Sequence, residues 1–205
     1  TATMPFTQVT LIFMLFIVVT GLTTVQCQSF NVTSVESLLT ITSPTACTGT
    51  ATENFIVSFG NSSTLYFSRM FRFSFHFGSY YNLKNLHVNS PDVSLTFTTS
   101  SQTQSQYITV EFAESVANRV VLISFQYEFN AMVSTTQGES LNVVEFGYVL
   151  AEPIHSIRLT IQLPQYSNLD YTQLRVEMPS GFTRTITSNL QTTITGSSEG
   201  TALFS

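Results

Sequence analysis

An imidazole can ligate a metal or move a proton near neutrality, so His76, His87 and His155 are the first residues to weigh for chemistry. None stands at metal-ligand spacing from another, or beside an acid or thiol pattern, and three solvated or half-buried rings with no metal are expected. Glu111 and Glu114 invite the reading of an acid pair. Carboxylates three apart near a strand end point in different directions, however, and a solvated edge accounts for them better. Tyr80 and Tyr81 could stack on a sugar ring, yet in a chain with 18 Phe and 8 Tyr adjacent aromatics are expected core and rim material. No G-x-S-x-G, HExxH, phosphate loop, dinucleotide fingerprint or zinc-type cysteine array occurs. No catalytic residue, cofactor or small-molecule substrate is expected, and the chain is read as something other than an enzyme.

Two modifications are written in the residues. Cys27 and Cys47 lie twenty positions apart, and an even pair in an extracellular-looking chain suggests a disulfide, with two buried free thiols as the alternative. Asn31-Val32-Thr33 and Asn61-Ser62-Ser63 fit the acceptor pattern for N-linked glycans. Charged residues make up only 9% of the 205, and the net charge of −5 comes from scattered carboxylates. Solubility therefore rests on Ser, Thr, Asn and Gln, and the seven cations never cluster into a footprint for nucleic acid.

These residues must be carried by strands. Period-two alternation marks residues 35–42, 54–59, 71–77, 93–98, 107–112, 121–129, 143–150, 157–163, 174–178 and 183–195, and no stretch after residue 35 repeats every 3.6. Turn signals stand between them, among them Gly60-Asn61, Ser90-Pro91, Gln137-Gly138 and Pro179-Ser180-Gly181. Short strands at this spacing predict an all-β, Ig-like or pilin-like β-sandwich over residues 31–205, with the all-polar run 99–106 as the place where it would divide into two subdomains.

Residues 1–30 are different. They carry no charge, and the run 11–19 is wholly apolar. The segment begins on Thr1 and has no cationic region, so it is expected to belong to the working protein. A membrane anchor would need about 20 apolar residues with cationic flanks. A helix buried among its copies would suit Pro5 in the first turn but not the abundance of Phe, Ile, Val and Thr. A strand that leaves its own domain to complete a neighbour's sheet fits best. Val9, Leu11, Ile12, Phe13, Met14, Leu15, Phe16, Ile17, Val18 and Val19 are its candidate residues, mostly β-favouring, and nine residues extend about 30 Å.

An uncharged, β-rich N-terminal tail followed by a Ser/Thr-rich all-β body with sequons resembles the donor-strand filament subunits, or threads, of thermoacidophilic archaea, which are similar in architecture to bacterial type I pilins. The resemblance implies an extracellular cell-surface filament polymerised head to tail by donor strand complementation, copies of the chain as partners, N-linked glycans, and a role in adhesion. Archaeal type IV pilins, with residues 5–25 as a core helix, are the rival family. A membrane-anchored adhesin or S-layer-associated domain is the competing class.

Overall fold

The structure is a computed structural model that describes residues 30–43, 48–61, 66–72, 82–102, 105–130, 133–136, 139–142, 146–148, 153–165, 176, 178–188, 190–199 and 202–204. The run 9–19, Cys27, Cys47, His76, Tyr80 and Tyr81 lie outside the described residues.

The described residues form no helix and fourteen strands: β1 (Phe30–Ser43), β2 (Thr48–Phe59), β3 (Tyr66–Arg72), β4 (Asn82–Asn89), β5 (Leu95–Gln102), β6 (Ser105–Phe112), β7 (Val120–Asn130), β8 (Val133–Thr136), β9 (Glu139–Asn142), β10 (Phe146–Tyr148), β11 (Ile154–Gln162), β12 (Thr183–Ser188), β13 (Gln191–Ser198) and β14 (Ala202–Phe204). The chain is an all-β sandwich. One layer is a seven-stranded sheet in the order β12-β13-β11-β1-β2-β7-β4, and the facing layer consists of the three-stranded sheet β3-β6-β5 with the pair β10-β14, β10 lying beside β3. β8 and β9 form a separate hairpin.

Alternation explains which face closes. On β2, Ala51, Phe55, Val57 and Phe59 are buried on one face, in register with Tyr127, Ile123 and Val121 of β7 for the first three and with Phe30 of β1 for the last. On the other face Thr50, Thr52 and Asn54 meet Thr40, Leu38 and Glu36, a mixed surface in which three neutral hydrogen-bonding side chains of β2 face a hydroxyl, an exposed leucine and a carboxylate of β1. β1 departs from strict alternation at a bulge between Val32 and Ser34, which brings Val35 as well as Val32 into the core although the two are three residues apart. Without that extra residue every later side chain of β1 would face the wrong way.

Phe55 is the hub of the interior. Its ring lies 5.5 Å from Phe125, 5.7 Å from Phe67 of the facing layer and 6.2 Å from Tyr148, in tilted or edge-on arrangements that suit the ring quadrupoles. Gly49 sits where a Cβ would stand 2.4 Å from the Thr40 carbonyl oxygen and 2.5 Å from the Phe129 ring, so no larger residue fits there without displacing one of them.

Several sequence expectations change in detail. Of the polar run 99–106, residues 99–102 belong to β5 and 105–106 to β6, and the two strands pair with Thr99 opposite Ile108 and Gln102 opposite Ser105. The single strand expected at 183–195 is the hairpin of β12 and β13. β4 was not foreseen: its register shifts between Lys84 and His87, and Asn85 there holds a left-handed φ of 51°.

Candidate functional site

Among the described residues the densest group of chemistry-bearing side chains is inside the sandwich. Glu53 on β2 is fully buried and lies in register with Ser37 on β1. The Tyr127 hydroxyl of β7 donates to Glu53 Oε1 at 2.5 Å, and the Tyr148 hydroxyl, reaching from the facing layer, donates to Ser37 Oγ at 2.6 Å. Four polar side chains thus meet in the middle of a Phe/Ile/Val core. Their relative exposures, 0% for Glu53 and Tyr148, 4% for Ser37 and 5% for Tyr127, leave no path for a substrate, so the group holds the layers together rather than performing turnover. Strand expectation over 54–59 missed it. Read back to Gly49, the parity of Ala51, Phe55, Val57 and Phe59 includes Glu53.

Of the histidines, His87 and His155 are described, and they are not brought together. His87 is exposed on the edge strand β4, in register with Gln126, and His155 is exposed at the start of β11. No group of three or more His, Cys, Asp or Glu residues suited to a metal ion occurs among the described residues. Glu111 and Glu114 also part company, since Glu114 pairs with Arg119 at 2.7 Å while Glu111 faces outward from β6 opposite Thr96.

The second candidate site is the end of the sandwich from which residues 1–29 lead into β1. Phe30 is buried there, 6.0 Å from the ring of Phe59 and 5.5 Å from that of Phe67. Around it the loops are tied to one another: Phe59 N donates to Arg119 O, Asn118 N to Gly60 O, Arg119 Nη2 to Asp92 O, and Leu122 N to Asp92 Oδ2, all at 2.8–2.9 Å. Both sequon asparagines fall at this end, Asn31 on β1 opposite Ser58 and Asn61 just beyond β2, and both are exposed. Sequence alone put them thirty positions apart.

Cys27 and Cys47, and with them the disulfide expected from their spacing, lie outside the described residues.

No protein-family profile matches the chain, and no curated protein matches it. Among solved structures it is similar to an M1 zinc metallopeptidase from Deinococcus radiodurans, at 9% identity over 86% of this chain and 42% of that one with a TM-score of 0.49. It is also similar to leukotriene A4 hydrolase from Saccharomyces cerevisiae, at 9% identity over 88% and 29% with a TM-score of 0.47. A candidate nutrient-binding protein from Legionella pneumophila matches at 14% identity over 86% and 67%, TM-score 0.49. The chain spans less than half the length of the two enzymes, and likeness at this level transfers no activity.

Proposed function

We propose that the chain is the structural subunit of an extracellular, cell-surface filament that polymerises head to tail by donating residues 9–19 of one copy to the sheet of the next, in the service of adhesion. The observation that supports this most is where the apolar segment joins the body. It leads, through ten residues, into Phe30, the first residue of β1, and β1 is the fourth of the seven strands in the large sheet.

A central strand is a good place for tension to enter. β1 is hydrogen-bonded to β2 from Phe30 to Ser43 and, in parallel, to β11 from Val32 to Thr40. A pull along the strand loads both ladders in shear, and any slip by one residue would turn Val35, Leu39 and Ile41 out of the core. An anchor at an edge strand would peel one ladder bond by bond.

A donated strand also requires a free edge. In the large sheet the β4 edge is blunted by its bulge, by Asn85 and by Lys84, devices that discourage pairing. β12 carries no bulge from Thr183 to Ile186 and, among the described strands, is hydrogen-bonded to β13 alone. We assign it as the accepting edge, with Ile186, 56% exposed, as an apolar contact waiting for the donor.

Negative-stain electron microscopy of surface material shed from the cells that make this protein tests the reading. Regular filaments containing this chain are the expected result. Isolated particles, or membrane patches carrying the chain, would refute it.

A further inference from the structure

We infer that β5, the outer strand of the three-stranded sheet, is a pairing edge on which a second copy of this chain docks antiparallel about a two-fold axis, so that the two small sheets become one continuous layer. Strand donation is not needed for this contact, since that joint is assigned to β12.

Whether a sheet edge pairs or stays single depends on the residues that guard it. β5 reads Leu-Thr-Phe-Thr-Thr-Ser-Ser-Gln and carries no charge, no proline and no glycine. It runs against β6 from Leu95 opposite Phe112 to Gln102 opposite Ser105 without a register shift, and among the described strands it is hydrogen-bonded to β6 alone. The β4 edge of the large sheet, by contrast, breaks register between Lys84 and His87. Along β5, Thr96, Thr98, Thr99 and Ser100 are exposed, while Leu95 and Phe97 pack against the core. Alternate residues of such a strand spend their N–H and C=O groups on the inner neighbour, and the others turn theirs outward.

The chemistry of this edge selects its own copy. A hydroxyl both donates and accepts, so a row of Thr and Ser is complementary to itself, and Thr–Thr and Thr–Ser pairs across strands are favourable. An uncharged strand meets its copy without repulsion and offers a charged strand nothing to pair with. The faces fix the register further. Leu95 and Phe97 point to the core, and a two-fold pairing that keeps the inward face common to both copies brings odd residues opposite odd and even opposite even. With Thr98 on the axis, Thr98 meets the partner's Thr98, Thr96 meets the partner's Ser100, and Phe97 meets the partner's Thr99. In this register the outward hydroxyl residues Thr96, Thr98 and Ser100 of both copies are all matched within the strand. Glu111 of β6 lies beside Thr96. It then stands about 20 Å from the partner's Glu111, about 14 Å across three strand spacings and about 14 Å along the strands, beyond the screening length of about 8–10 Å.

Carbodiimide cross-linking of the full-length protein, with one variant labelled with nitrogen-15, reads which residues of two copies lie side by side. In a mixture of T98K and T98E the introduced amine and carboxylate are expected to be joined between copies. S100K mixed with T96E should link as well, at least about tenfold more than S100K mixed with S100E, whose side chains would stand four residues apart, about 14 Å along the strands. Circular dichroism of each variant establishes that the sandwich is intact. No link between copies in either matched mixture, equal yields in the matched and offset mixtures, or an introduced amine joined preferentially to a carboxylate on another element overturns the inference. Filaments seen by microscopy without these links would sink the β5 pairing alone, and links without filaments would leave it standing.

Discussion

Glu53→Ala is expected to lower the unfolding free energy by about 3–5 kcal/mol, because it leaves a buried phenol without its acceptor and a void beside it. The Tyr127 hydroxyl donates to Glu53 Oε1 in a region where neither residue reaches bulk water. Glu53→Gln keeps an acceptor oxygen at nearly the same place and should cost less, about 1–2 kcal/mol. Tyr127→Phe removes the donor and should fall between them. If the two side chains act as a unit, the double variant E53L/Y127F will be more stable than the sum of its single effects predicts, since apolar groups of matching shape replace both partners. Urea unfolding followed by circular dichroism measures these four together with E53L alone, which closes the cycle. Additive losses would mean that Glu53 is held by its surroundings independently of Tyr127.

That cluster also bears on how the core chooses one arrangement. Most inward residues of the large sheet are Val, Ile, Leu and Phe, which exchange places at modest cost. Ser37 and Glu53 are directly opposed, and Tyr148 reaches Ser37 from the other layer. A shift of β1 against β2 by two residues would keep the apolar face inward but break this polar match. The network therefore pins a register that packing alone would leave loosely set.

The sequence showed the strands because alternation is a local property. Val121, Ile123, Phe125, Tyr127 and Phe129 announce β7 without reference to anything else, and the structure places all five in the core. It did not show which strands are neighbours. β1 and β11 run side by side in parallel, Val35 against Ile157, across more than a hundred residues of chain, and nothing in either segment marks the other as its partner. Asn31 and Asn61, thirty positions apart, are returned to one end because β1 and β2 fold back on each other.

The other large effect concerns the joint we propose. Ile17→Asp is expected to reduce filament assembly by at least about a hundredfold while leaving the body's unfolding transition unchanged, because a carboxylate buried in an apolar junction costs several kcal/mol unless it is protonated or paired. The same substitution at Phe16 distinguishes the two geometries the segment could adopt on assembly. In a strand, residues 13, 15, 17 and 19 share one face and 12, 14, 16 and 18 the other, so F16D and I17D act on opposite sides and the side turned to the neighbouring core should be the more sensitive. In a helix, residues 13, 16 and 17 share a face, and F13D, F16D and I17D should then fail together. Sedimentation of each full-length variant, with circular dichroism of the soluble fraction to establish that the sandwich is intact, separates these outcomes. Assembly at the unsubstituted level by all three would remove residues 9–19 from the joint, because an interface that accepts a charge on either face of a strand and on the shared face of a helix does not bury the segment.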